Sequence, residues 1–194
     1  MQAKSVYLIP SRLIAILPEY SKYGELYSNI LEVNYSFVNE RNPYDTIDDH
    51  CLYYGSALRG KIEGANSILK TKINPIALNG PESIILIPTK SPMSKDGIWF
   101  NLEHIIDFQA LGKREILVFL SNGDTIRVEN SYKQFKSRVD RGYILRTKLE
   151  ERQNLQHLQS HYILDPGKRY HYQRNNGKLN FEMVIQNKRD NKDK

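Results

Sequence analysis

Seven Lys and Arg side chains recur between residues 133 and 152: Lys133, Lys136, Arg138, Arg141, Arg146, Lys148 and Arg152. Only Asp140, Glu150 and Glu151 offset them in that span. The same stretch carries Tyr132, Phe135, Val139 and Tyr143 at spacings of three, four and four, which is one face of a helix. The cations fall largely off that face. A basic stripe of this kind neutralises phosphates and releases their counterions, which drives binding to duplex DNA. The pattern equally fits a solvated outer face whose cations pair with acids one turn away, and taken alone it leaves both readings open.

A second constellation runs from Cys51 to Gly64. Gly55 and Gly60 have the spacing of a Walker A loop and Lys61 follows, but Ile62 stands where the magnesium-binding Ser or Thr is required. Nucleotide binding is therefore not expected. Two readings stay open for the segment. Its glycines make flexible turns, or its backbone N–H groups and Lys61 approach phosphates. Glycines at 60 and 64 would permit such an approach to a partner.

Catalytic and metal-binding patterns are poor. His157 and His161 could share one helical face, yet no Glu or Cys sits beside them in sequence, and surface histidines explain them better. His50 and Cys51 are adjacent on a stretch read as a strand, where neighbours point to opposite faces, so they form no dyad. Neither G-x-S-x-G nor H-E-x-x-H occurs. The single cysteine excludes an internal disulfide and thiolate zinc sites that need two or more Cys. Trp99 reads as core, Phe135 and Tyr132 as core, and Ser131 as a cap.

The elements that would position these residues follow from period and punctuation. Residues 12–18 form a short apolar run closed by Pro18, and 26–38 alternate loosely; both read as strands. Asn42-Pro43 marks a turn. Residues 56–70 suit a helix weakened by Gly60 and Gly64, each costing about 1 kcal/mol relative to Ala. Residues 83–87, 98–108 and 115–120 read as strands around a loop at 90–97. Asn122-Gly123-Asp124 is the clearest hairpin signal, with 125–128 as the returning strand. Ser131 with Gln134 then opens a helix as a capping box. The helix is expected to reach about Leu155, with Gly142 weakening its middle. After Asp165-Pro166-Gly167 the pattern decays, and 186–194 are expected to be disordered.

These readings predict an α+β domain: a mostly antiparallel β-sheet core followed by a basic amphipathic C-terminal helix. Residues 1–155 would form a single DNA-binding domain and 156–194 a basic, partly disordered tail. The excess positive charge sits in the last third of the chain. Residues 1–130 carry 13 Lys/Arg against 15 Asp/Glu, whereas 131–194 carry 15 against 7. Such asymmetry suits a polyanionic partner or a solubilising tail. No apolar run has the 18 or so residues of a membrane span. The N-terminal apolar run is broken by Arg12 and two prolines, unlike a signal peptide. A reducing cytoplasm is the expected compartment.

Three stretches together resemble the ComK family of competence transcription regulators. They are Cys51…Gly55-Ser56…Gly60-Lys61…Gly64, the stretch ILIPTKS…GIWFN, and LSNGDTIRVENSYKQFKSRVDRGYILRTK. Ser131-Tyr132, Phe135, Val139, Arg141 and Leu145-Arg146-Thr147-Lys148 stand where the family has them. The resemblance runs from Asp49 to Arg152. It implies an activator of DNA-uptake genes with no enzymatic activity and no cofactor. It implies binding to paired AT-rich tracts of double-stranded DNA, mainly through the minor groove. A homo-oligomer, a dimer or dimer of dimers, and RNA polymerase would be its partners, together with an adaptor of a Clp protease. The expected DNA-binding residues are Arg141, Arg146 and Lys148, then Lys61 and Arg138. Tyr162, Ile163, Leu164 and Pro166 would belong to the adaptor-binding stretch. The rival classes are a metal-dependent nuclease and a protein-interaction adaptor with a solubilising basic tail.

Overall fold

A computed structural model describes residues 6–78, 84–163, 171–175 and 178–182, with side chains as far as Asn154. The chain divides into two compact units, Met1–Glu150 and Glu151–Lys194. In the first unit the strands are β1 (Leu13–Tyr20), β2 (Leu26–Glu32) and β3 (Ser36–Asn39), followed by helices α1 (Pro43–Tyr53) and α2 (Leu58–Leu69). Then come β4 (Ile76–Ala77), β5 (Ile85–Pro88), β6 (Trp99–Asn101), β7 (Ile105–Ala110), β8 (Ile116–Leu120) and β9 (Thr125–Val128). Helix α3 spans Tyr132–Ile163. In the second unit β10 (His171–Asn175) and β11 (Lys178–Glu182) pair as an antiparallel hairpin.

The fold is α+β with antiparallel sheets. One sheet has six strands in the order β3-β2-β1-β6-β5-β4, and another has three in the order β7-β8-β9. The six-stranded sheet is buried on both faces. Ile85, Ile87 and Phe100 pack with Phe135, Val139, Leu145 and the inward residues of the three-stranded sheet. Their chain neighbours Ile84, Leu86 and Trp99 pack instead with Ile47, Cys51, Leu58 and Ile62 of the two short helices. This is why β5 reads as an unbroken apolar run: alternate residues enter different cores.

Several boundaries differ from the sequence reading. Asn42-Pro43 begins α1 rather than a turn. Asn42 Oδ1 accepts from the Asp45 N–H at 3.0 Å, and Pro43 occupies the first turn, where its missing N–H costs nothing. His50 and Cys51 are therefore helical, not on a strand. Residues 26–38 break into two strands at a turn closed by Glu32 N–H to Tyr35 O, 2.9 Å. Residues 98–108 are also two strands in two sheets. Between them the buried Asn101 accepts the Glu103 N–H and donates to Ser11 O and Leu13 O, forcing a 3-10 turn at Leu102–His104.

Helix α3 also differs. It continues past Leu155 to Ile163, and Gly142 does not weaken a free helix but lies against the sheet. A Cβ there would stand 2.7 Å from Ile87 Cδ1 and 3.2 Å from Leu102 Cδ2. The inward stripe is Phe135, Val139, Gly142 and Leu145, while Tyr132 and Tyr143 are half exposed. Tyr132 still touches the domain, its ring 5.2 Å from that of Phe108.

Candidate nucleic-acid interface

The start of α3 is capped by Ser131, whose Oγ accepts the Gln134 N–H at 3.3 Å. From there the close contact at Gly142 sets which side chains face in. Arg138 falls beside the inward stripe and is buried. Its guanidinium donates to Pro88 O (3.1 Å) and Thr89 O at the end of β5. Burial, and then the neighbouring Arg141, hold its pKa below the ordinary arginine value. Arg138 thus latches α3 to the sheet, apart from the exposed stripe in which the sequence reading placed it. Arg146 is also turned inward. It pairs with Glu103 and lies over the Tyr143 ring, 5.7 Å from its centroid.

Arg141 and Lys148 point elsewhere. Arg141 Nε donates to Ser137 O (3.0 Å) and its Nη1 to Thr71 Oγ1 (3.1 Å), with Lys72 O at 3.5 Å. Lys148 Nζ reaches Ile68 O at 3.4 Å. These bonds lay the 141–148 stretch of α3 along the C-terminal end of α2 and the loop after it. Lys70 and Lys72 stand in that loop, both exposed. Carbonyl and hydroxyl oxygens cap a cation without cancelling its charge. Among the described residues, none of Arg141, Lys148, Lys70 and Lys72 has a carboxylate partner. By contrast Lys136 pairs with Asp140 at 3.0 Å, and Arg59 with Glu63 at 3.0 Å. No Asp or Glu occurs between residues 64 and 81. The result is a surface of uncompensated positive charge held on two helices and a short loop.

Lys61 lies on α2 beside Cys51 of α1, where burial holds its pKa below the ordinary lysine value. The Walker-like spacing has no Walker geometry: Gly55 ends a helix-to-helix turn at φ +71°, and Ile62 is buried in the core. Gly60 and Gly64 have no atom within 4 Å of a notional Cβ, so they face outward and open. Leu58 N–H, at the start of α2, is bonded by Asp48 Oδ1 of α1 at 2.8 Å. Cys51 is buried, and desolvation pushes its thiol up to about 11, the opposite of an activated nucleophile. His50 Nδ1 accepts the Ile9 N–H at 3.1 Å. Trp99 is fully buried. Among the described residues no group of three or more His, Cys, Asp or Glu could hold a metal ion. The backbone of Tyr162 and Ile163 ends α3, while Leu164 and Pro166 lie outside the described residues, as do 186–194.

The loop lysines were missed in the sequence. Their signal was the acid-free run after Glu63, with Asn74-Pro75 closing it. The basic patch on an α+β scaffold is the arrangement that suits a polyanionic partner. Family comparison makes it specific: residues 4–154 match the family model described as ComK protein, and the chain belongs to that family. It is 31% identical over 147 residues to the competence transcription factor of Bacillus subtilis (strain 168), covering 75% of this chain and 76% of the relative. No solved structure matches the chain.

Proposed function

We propose that this protein is a sequence-specific, double-stranded-DNA-binding activator of competence genes, without enzymatic activity, working in the cytoplasm. The carrying observation is the surface of Arg141, Lys148, Lys70 and Lys72, none of which has a carboxylate partner among the described residues, in a chain whose relative is a competence transcription factor. Cations on ordered helices and a braced loop are already placed for phosphates, so little ordering entropy is lost on binding. Arg146 can add a contact by exchanging Glu103 for a phosphate, and Lys61 stands second. AT-rich tracts are read mainly in the minor groove, where Arg and Lys favour the narrow, electronegative groove of A-tracts. A homo-oligomer on promoter DNA would place two such surfaces on paired sites and contact RNA polymerase. The stretch containing Tyr162, Ile163, Leu164 and Pro166 would serve an adaptor of a Clp protease.

Inosine substitution tests the groove. Replacing A·T pairs by inosine·cytosine leaves the minor-groove pattern nearly intact, because inosine lacks the guanine amino group, but remakes the major groove. The expected result in a gel shift is near-parental binding, with some loss from altered tract stiffness. Loss of about 1–3 kcal/mol for each substituted pair would instead mean that α3 reads the major groove as a conventional recognition helix.

A further inference from the structure

Phosphate contacts do not explain Ile73. Its backbone is left-handed, φ +56°, a conformation that the branched Cβ of isoleucine resists on steric grounds. The residue also keeps 38% of its surface in water. An apolar residue left partly in water, in an unfavourable backbone conformation, gains less for folding than a core isoleucine, and such outliers cluster at binding sites.

The loop around it is rigid. Lys70, the C-cap of α2, is left-handed as well at φ +56° and donates its N–H to Asn66 O at 2.9 Å. Thr71 Oγ1 bonds Asn74 Oδ1 at 2.6 Å. Asn74 is buried, and its Nδ2 donates to Asn66 Oδ1 (2.9 Å) and Thr71 O (2.7 Å). Ile73 therefore sits, partly exposed, on a braced turn. Lys70 and Lys72 precede it, and Arg141 is bonded to the same turn through Thr71.

We infer that Ile73 is a wedge that this surface drives between base pairs of duplex DNA, an inference that rests on the DNA-binding reading above. One isoleucine among uncompensated cations suits a partner that is anionic outside and apolar inside, which describes a base stack between phosphate strands. Insertion removes the side chain from water and unstacks one step, while the flanking cations hold the phosphates on either side. Wedges of this kind kink the duplex by roughly 20–90°. The left-handed turn sets the angle of entry in advance.

The test uses the full chain and an AT-rich duplex that carries 2-aminopurine at an internal step and a donor–acceptor dye pair at its ends. Wild-type protein should raise the 2-aminopurine fluorescence and shorten the end-to-end distance. Ile73→Asn and Ile73→Gly suit a left-handed backbone, so both should melt at or above the wild-type temperature. Both should lose the fluorescence rise and the kink, with affinity down roughly 10-fold and the salt dependence unchanged. Lys72→Ala should do the reverse, flattening the salt dependence and keeping the kink. Ile73 variants that kink DNA as wild type does would overturn the wedge. So would a wild-type complex that leaves the duplex straight, although DNA binding itself would stand. Wild-type protein that binds no duplex defeats the underlying reading. Unchanged kinking with an altered oligomeric mass in light scattering would assign Ile73 to a protein contact and overturn the wedge too.

Discussion

Arg138 and Lys148 are both cations of α3, and the structure places one inside the domain and the other on its surface. Arg138 donates to the carbonyls of Pro88 and Thr89 inside the domain, so Arg138→Ala takes that donor from Pro88 O, leaves Thr89 O with Asn130 Nδ2, and should cost about 1–3 kcal/mol of stability. Lys148 is exposed with a weak bond to Ile68 O, so Lys148→Ala should leave the melting temperature nearly unchanged and weaken DNA binding. Thermal melts and gel shifts on both variants check this. If Arg138→Ala melts like wild type while Lys148→Ala binds like wild type, the division of labour is wrong. The sequence shows that both are cations on one helix. It does not show which way each faces, because the helix rotation depends on how closely α3 approaches the sheet. For the same reason Tyr132 and Tyr143 read as inward and are half exposed. Lys70 and Lys72 escape notice because only tertiary contact brings them beside Arg141.

That approach is fixed at Gly142, which makes glycine the test of element packing. Helix propensity alone favours Ala over Gly by about 1 kcal/mol. At Gly142 a methyl group meets the buried Ile87 and Leu102, and overpacking of this kind costs about 1–3 kcal/mol, so Gly142→Ala should lower the melting temperature. At Gly64 the space is open, so Gly64→Ala should raise it. A rise at both positions would mean that α3 does not lie tight against β5. The strand-rich block and the start of α3 are legible because turn residues punctuate the apolar runs and Ser131 with Gln134 marks a cap. Helix α1 is not, because its inward side mixes Thr46, His50 and Cys51 with Ile47 and gives no apolar stripe. Its Asn-Pro-Tyr-Asp start is nonetheless a capping signal. The break between β6 and β7 is also invisible locally, since it depends on Asn101 bonding to residues far away in the chain.

Across the whole molecule, charge and family point the same way. The excess of Lys and Arg lies in residues 131–194, and the ComK family match covers 4–154, which includes the basic part of α3 and the lysine loop. A nuclease would cleave DNA in magnesium, and a mere adaptor would ignore it. A DNA-binding activator must instead release counterions when it binds. The most direct measurement is affinity for an AT-rich duplex as a function of salt concentration. With about six phosphates neutralised, log K should fall against log salt with a slope near −5, and the duplex should remain intact in magnesium. A slope shallower than about −2, or cleavage of the duplex, would contradict the account.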